Sequence, residues 1–192
     1  MKQGINELSR EEIGMRFPVE IVPFDPRWFD LFDQERKLIL NTLGEQLALR
    51  VEHFGSTSIP ELPAKPTIDI LVEIPTDERL HDDIITKLVA QNYDFMWQTD
   101  AEPPYMVFVK GYNVTGAKQQ TYHIHMGPQT HALWDRLYFR DYLREKPMLA
   151  KAYAELKNEL AKVYRNDRVA YRLAKTDFVK TKTEEAKQYY VL

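Results

Sequence analysis

The 192-residue sequence contains no cysteine. This absence excludes a disulfide framework, a thiolate metal site and a cysteine nucleophile. Nowhere do about 18 apolar residues run together, so no membrane-spanning helix is predicted, and the charged segment 1–15 does not resemble a signal peptide. Internal repeats and low-complexity tracts are also missing. We therefore expect a cytoplasmic protein that folds as one domain over 1–192, long enough to bury a core.

Charge is small overall but uneven along the chain. The formal net charge is −3, which argues against bulk nucleic-acid binding. Residues 130–192 hold 14 Lys and Arg against 9 Asp and Glu, whereas residues 1–129 hold 12 against 20. An acidic first part and a basic C-terminal part can pack against each other as two layers. The same distribution of charge also suits an anionic ligand bound between them. We expect a small-molecule or nucleotide ligand, with no nucleic acid and no membrane as partner, and no oligomeric state is indicated.

Periodicity predicts an α/β (α+β) fold: a mixed sheet of about five strands with flanking helices in 1–129, then a helical C-terminal layer in 130–192 of the same domain. Strands are predicted over 47–54, 67–74, 93–97, 105–110 and 119–126, with a weak edge strand at 17–22 and a turn-rich stretch at 111–116. One helix should begin at Asp25-Pro26 and end near Gly44, and a second should begin at Pro75. The last of three C-terminal helices is expected to be capped by Asp167 and to run to 178.

A Gly-Ser turn follows the first of these strands. Gly55 permits a backbone conformation that is closed to other residues, and it lets a ligand approach the main chain. Ser56, Thr57 and Ser58 add hydroxyl and N–H groups that suit phosphate oxygens. An ordinary loop rich in turn-forming residues explains the same pattern.

One carboxylate, Asp69, lies between Ile68 and Ile70 in the middle of an apolar strand. Burying a carboxylate there is costly unless it is paired or bound to a metal. Asp69 is therefore a candidate metal ligand and catalytic residue. An ion pair with Lys65 or with a C-terminal arginine is the alternative interpretation.

Two histidines, His123 and His125, stand two residues apart on a predicted strand, so their side chains share a face. With Asp69 they make a candidate ligand set that prefers Zn, Mn, Fe or Ni to Mg. The alternative is one hydrogen-bonded core histidine and one surface histidine. His81 and His131 have no such neighbours and are expected at the surface.

The C-terminal layer has two basic stripes with spacings of three or four residues: Arg136, Arg140 and Arg144, and then Arg168, Arg172 and Lys175. Like charges at this spacing repel by about 0.2–0.5 kcal/mol per pair, so the stripes need anions opposite them. Solvated or inter-layer salt bridges are the favoured explanation. Phosphate binding by one or two of these side chains, Arg140 and Lys175 among the candidates, is the second.

Five segments together resemble the GrpB family: FDPRW at 24–28, EHFGSTSIPELPAKPTIDILV at 52–72, HIHM at 123–126, FRDYLR at 139–144 and AYRLAKTDFV at 170–179. The resemblance spans nearly the whole chain. It implies a nucleotidyltransferase-superfamily fold in a bacterial protein, and little biochemistry, because the family is largely uncharacterised. The superfamily pattern is a Gly-Ser turn, an acid–apolar–acid pair on the next strand and a third acid on a later strand. Gly55, Ser56 and Asp69 match it, whereas Leu71 stands at the second-acid position and cannot bind a metal.

Three functions follow as expectations. The leading one is a nucleotidyltransferase that moves a nucleotidyl group from a nucleoside triphosphate to a small acceptor. In this interpretation Asp69 holds a divalent metal (Mg, or Zn or Mn if the histidines ligate), and Lys65 or Arg140 neutralises developing charge. The residues expected to contact the phosphates are Gly55, Ser56, Thr57, Arg140 and Lys175.

The second expectation is a metal-dependent hydrolase with Asp69, His123 and His125 as ligands. The third is a non-catalytic module that senses a nucleotide or metabolite. Leu71 favours the third expectation, and the aligned histidines favour the second.

Overall fold

The computed structural model describes residues 8–99, 101–113 and 118–191. Five strands form one sheet: β1 Arg50–Phe54, β2 Thr67–Glu73, β3 Asp94–Gln98, β4 Tyr105–Lys110 and β5 Thr121–Gly127. Seven α-helices surround it: α1 Arg10–Arg16, α2 Arg27–Leu43, α3 His81–Val89, α4 Arg136–Glu145, α5 Pro147–Val163, α6 Arg168–Ala174 and α7 Thr176–Val191. A short 3₁₀ turn, Ser56–Ser58, follows β1.

The sheet is mixed, with strand order β1-β2-β5-β4-β3. β2 pairs with β5 in parallel, and the other three pairings are antiparallel. β2 therefore has a neighbour on each edge and layers on both faces, which explains its nearly continuous apolar sequence. The prediction of a mixed five-stranded sheet with flanking helices and a helical C-terminal layer is confirmed.

One face of the sheet packs against α2 and α3. Its core includes Ile68, Ile70 and Val72 of β2, whose alternation puts them on the same side. The helix α2 begins where predicted, because Asp25 Oδ1 accepts a hydrogen bond from the Arg27 N–H at 3.0 Å. It ends at Gly44, which has φ +74°, a left-handed conformation that favours glycine.

The other face lies under the C-terminal layer. Leu71 of β2 packs there with Phe54, Val107 and Leu133. A third apolar cluster joins this layer to the loop before β2, since Ile59 and Leu62 pack against side chains of α4 and α5. The loop is thus held between the sheet and the helices.

Several predicted boundaries are wrong, and the first strand begins at Arg50 instead of residue 47. The segment 17–22 forms no strand, and only Val22 makes a bridge, to Ala64; Pro18 offers no N–H, and the Val19 N–H donates to Arg165 in the helical layer instead. The second helix begins at His81 instead of Pro75, after a 3₁₀ turn.

The helix capped by Asp167 also differs from the prediction. Asp167 does accept from the Ala170 N–H at 3.0 Å, but α6 ends at Ala174 and α7 begins at Thr176. Of the predicted turn at 111–116, residues 114–116 lie outside the described residues. Within the described part of the chain, no helix has the length and apolarity needed to cross a membrane.

Candidate functional site

The parallel pairing of β2 and β5 brings Asp69 and the two histidines together. In the register Asp69 lies opposite His123, and Leu71 lies opposite His125. Because side chains alternate along a strand, all four point to the face beneath the C-terminal layer. Asp69, His123 and His125 each offer one ligand atom, and these atoms lie within 4.8 Å of one another. The predicted juxtaposition is therefore present.

The closest pair in this group is Asp69 Oδ1 and His123 Nδ1, at 3.5 Å. Two ligands about 2.1 Å from one tetrahedral ion stand roughly 3.4 Å apart, so this spacing suits a shared ion. Burial opposes ionisation of Asp69, but the hydrogen bond to His123 and the surrounding positive charge outweigh it and lower the pKa of Asp69 to about 2. The carboxylate is thus ionised and ready to bind a cation.

Gly55 makes room for Asp69. Its φ is +71°, and a Cβ placed on it would stand 2.3 Å from Asp69 Oδ2. Contacts this short are forbidden, so any larger residue would displace the carboxylate. Sequence reasoning assigned the open main chain at this position to a ligand; in the structure the Asp69 carboxylate approaches it.

The hydroxyl groups after Gly55 have different partners. The Thr57 hydroxyl is buried and donates to the Thr67 carbonyl at 3.0 Å, and the Ser58 hydroxyl donates to the Gly55 carbonyl at 2.7 Å. These two groups hold the turn in place. The Ser56 side chain hydrogen-bonds to the Tyr153 phenol but remains partly exposed, so among the three hydroxyl groups it is the most accessible to a ligand.

His123 is oriented from behind by Tyr112. The Tyr112 hydroxyl lies 2.5 Å from His123 Nε2 and accepts from Arg168 at 2.9 Å. Because Tyr112 contacts Nε2 of His123, the other ring nitrogen, Nδ1, faces Asp69. Burial lowers the pKa of His123, and the Asp69 carboxylate only partly opposes this shift, so the ring is a neutral donor of the kind that binds metals.

His125 has a different environment. Arg136 donates to its Nδ1 at 3.2 Å and to the Tyr105 hydroxyl at 2.7 Å. Burial, reinforced by Arg136, lowers the pKa of His125 well below its ordinary value. A guanidinium can only donate, so Nδ1 is an acceptor and the neutral ring carries its proton on Nε2. Asp69 and His123 can hold a divalent ion when His123 carries its proton on Nε2, towards the Tyr112 hydroxyl. His125 joins them only when Arg136 releases Nδ1.

Lys65 and Lys175 converge on one buried ring. Their Nζ atoms lie 5.6 Å and 4.9 Å from the centroid of Tyr171. Burial, followed by the charges of Arg168 and Lys175, lowers the pKa of Lys65 to about 7, although Asp69 acts in the opposite direction. The two predicted residues are thus brought together beside the Asp69 group.

Sequence reasoning missed Lys157 of α5. Its side chain is 1% exposed, its Nζ donates to the Pro63 carbonyl, and it lies 4.9 Å from the centroid of Tyr153. A signal existed, because Lys157 follows Tyr153 by four residues and so shares the apolar face of its helix.

Arg140 lies apart from these groups. It donates to Glu52 Oε2 at 2.8 Å, to the His53 carbonyl at 2.9 Å and to Asp141 Oδ1 at 2.7 Å. Two carboxylates balance its charge and join α4 to β1, as the inter-layer explanation of the stripe expects. Phosphate binding by Arg140 stays a prediction that this geometry does not favour.

His131 was expected at the surface, and that expectation is wrong. Its ring is 7% exposed, its Nδ1 accepts from the Leu133 N–H at 2.9 Å, and its Nε2 lies 2.8 Å from the Pro103 carbonyl. The ring caps the 3₁₀ turn that leads into α4. His81 is half-buried near Trp97.

Comparison with known proteins gives a family and a fold. The profile of the family described as GrpB protein matches residues 18–185. The UPF0157 protein PA4798 of Pseudomonas aeruginosa is 40% identical over 84% of this chain and 64% of its own length. The chain covers only 48% of the UPF0157 protein YqkA of Bacillus subtilis, so it spans about half to two thirds of these curated relatives.

Solved structures agree with this result. The crystal structure of the conserved protein GrpB from Enterococcus faecalis matches with a TM-score of 0.79 and 31% identity, over 90% of this chain and 100% of that one. The Cid1 poly(U) polymerase with MgGTP bound matches with a TM-score of 0.50 and 16% identity, over 80% of this chain and 46% of that one. The second likeness shows the fold alone, which is nucleotidyltransferase-like as predicted.

Proposed function

We propose that this chain, which belongs to the GrpB family, moves a nucleotidyl group from a nucleoside triphosphate to a small acceptor. The observation that carries the proposal is the contact between the Asp69 carboxylate and Gly55 at the start of the Gly55–Ser58 turn. This contact supports the proposal because Asp69 is the candidate metal ligand and the turn is the candidate phosphate-binding segment. From the C-terminal layer, Arg144 donates to the Ser58 carbonyl of this turn at 2.8 Å.

Each residue in the proposal has a stated role. Ser56 and the N–H groups of its turn hold phosphate oxygens, and Asp69 with His123 would hold one divalent ion. Such an ion, when bound, neutralises phosphate charge and orients the phosphates. Lys65 offsets the negative charge that develops as the α-phosphorus changes partner. Leu71 supplies no second carboxylate, so the proposal requires one ion only.

A thermal-shift panel tests this function. Nucleoside triphosphates are added with and without Mg, Mn and Zn to the wild type, to Asp69→Asn and to Asp82→Asn, an exposed carboxylate on α3. A ligand at about 100 times its dissociation constant stabilises by about 2.7 kcal/mol. We expect a metal-dependent shift that Asp69→Asn loses and Asp82→Asn keeps, followed by pyrophosphate release when the acceptor is supplied.

Other outcomes contradict the proposal in different ways. If triphosphate binds equally well without metal and in Asp69→Asn, and no turnover is found, the protein is a sensing module. A panel without any shift leaves the nucleotidyltransferase proposal without a substrate.

Metal-dependent hydrolysis is the second candidate, and the grouping of Asp69, His123 and His125 within 4.8 Å favours it. Carboxylate with imidazole ligands suits Zn or Mn better than Mg. Stoichiometric transition metal in the purified protein, with hydrolysis in place of nucleotidyl transfer, would select this function over the first.

A further inference from the structure

Three lysines from separate parts of the chain gather behind the Gly55–Ser58 turn. Lys65 comes from the loop before β2, Lys157 from α5 and Lys175 from the junction of α6 and α7. Lys65 and Lys175 flank the Tyr171 ring, and Lys157 lies over the Tyr153 ring. We call these three side chains the lysine trio.

No member of the lysine trio forms a direct ion pair with a carboxylate in the described residues, although the Asp69 charge acts on Lys65 from a longer distance. The charges that act on Lys157 are those of Lys175 and Lys65 themselves. Lys157 is buried and donates to the Pro63 carbonyl, and Lys65 and Lys175 are partly buried. Holding grouped amines of this kind as ammonium ions without a paired anion is costly.

The position of the trio relates it to the proposed reaction. The phenol of Tyr153 lies beside Ser56, and Lys65 is near enough to Asp69 for its charge to favour the carboxylate. An anion held by the trio therefore lies next to a phosphate held at Ser56. A chain of phosphates matches this arrangement, since it carries several charges in a row.

We propose that the lysine trio binds the pyrophosphate end of the nucleoside triphosphate and retains it as the leaving group, an inference that rests on the proposed function. In that step the bond between the acceptor oxygen and the α-phosphorus forms as the bond from the α-phosphorus to the bridging oxygen breaks. The electron pair leaves with pyrophosphate, and the hydroxyl proton of the acceptor passes to water. The trio offsets the charge that collects on the leaving group.

Calorimetric titration of inorganic pyrophosphate in EDTA tests this inference without metal or turnover. The variants are Lys157→Met and Lys175→Met, with Lys162→Met as control, an exposed lysine on the same helix as Lys157. We expect the wild type to bind, each trio variant to weaken binding about tenfold or more, and Lys162→Met to bind as the wild type does. Circular dichroism checks that each variant folds. If Lys157→Met does not fold, Lys175→Met still tests the inference, because Lys175 is partly exposed.

The inference is overturned if the wild type does not bind pyrophosphate, or if folded Lys157→Met and Lys175→Met both bind it unchanged. Asp69→Asn separates this inference from the proposed function. Pyrophosphate binding that survives Asp69→Asn and depends on the trio supports the anion site even where no nucleotidyl transfer is found. If nucleotidyl transfer is found but pyrophosphate binding does not depend on the trio, the proposed function is supported and the pyrophosphate site at the trio is refuted.

Discussion

Lys110 and the lysine trio lie on opposite faces of the same sheet. On the face beneath α2, Lys110 donates to Glu35, and its Nζ lies 4.6 Å and 5.0 Å from the rings of Tyr93 and Tyr122. Tyr93 also donates to Glu35 at 2.5 Å. The cation is thus matched by a buried carboxylate and by aromatic rings.

On the other face the lysine trio has the rings but not the carboxylate. The contrast shows what an aromatic setting can and cannot do for a buried ammonium group. Rings attract a cation by about 0.5–2 kcal/mol, which is less than the cost of burying it. Lys110 has a carboxylate partner within the chain, whereas in the inference above the lysine trio receives its counter-charge from an anionic ligand.

The largest effect is expected from Glu35→Gln. Because the substitution leaves the Lys110 ammonium buried without a carboxylate, we expect the free energy of unfolding to fall by about 3 kcal/mol. Urea denaturation measures it, with the exposed Glu45→Gln as control. A loss no larger than that of the control would show that Lys110 needs no partner, and the contrast between the faces would disappear.

Lys157→Met should act in the opposite direction and raise the free energy of unfolding by about 2 kcal/mol near pH 6, since it removes an unmatched buried amine. Burial lowers the pKa of Lys157 from 10.5 to about 6. The unfolded chain therefore binds one more proton between these values, and wild-type stability rises with pH across that window. The gain from methionine should shrink from pH 6 towards pH 9.

Denaturation at both pH values measures the effect of Lys157→Met, and Lys162→Met should show no such trend. A gain that stayed constant with pH would mean that Lys157 reaches water.

Gly55→Ala is expected to destabilise by about 1–2 kcal/mol, because alanine is strained at a positive φ and its Cβ would stand 2.3 Å from Asp69 Oδ2. Gly44→Ala is a matched control with φ +74°, where the added Cβ meets only the end of the flexible Gln46 side chain. Both variants should lose stability in denaturation, and only Gly55→Ala should also lose metal-dependent ligand shifts. Equal ligand shifts in the two would separate Gly55 from the site.

The smallest effect concerns His125. Arg136→Gln removes the guanidinium donor at His125 Nδ1 and its positive charge beside that ring, so we expect affinity for Zn to rise about tenfold. Competition with a chromogenic chelator measures it. Arg144→Gln, at an arginine that donates to the Ser58 carbonyl, is the control. Unchanged Zn affinity in Arg136→Gln would mean that His125 does not ligate.

Much of the candidate site could be predicted from the sequence because its signals are local. A carboxylate between Ile68 and Ile70 and two histidines spaced by two residues need only the alternation of a strand. Their meeting depends on β5 lying next to β2 although β3 and β4 come between them in the chain. The strand faces of these three residues predict the group, but periodicity alone does not contain the strand order that brings them together.

The features that the sequence did not reveal depend on contacts between distant segments. The ion pair of Arg140 with Glu52 joins residues that are 88 positions apart in the chain. Lys157 stands in a helix rich in charged residues, where a lysine is ordinarily solvated. The break between α6 and α7 has no proline or glycine to announce it, so the pattern favoured one continuous helix.

The close approach of Gly55 and Asp69 gives a way to sort relatives by sequence. A chain that keeps aspartate at the position of Asp69 has no room for a side chain at the position of Gly55, since a single Cβ there would stand 2.3 Å from the carboxylate. The two positions are therefore expected to change together. A relative with alanine or serine in place of this glycine should also carry a shorter or neutral residue in place of the aspartate. Such a pair would mark a lineage that kept the fold and lost the proposed cation site.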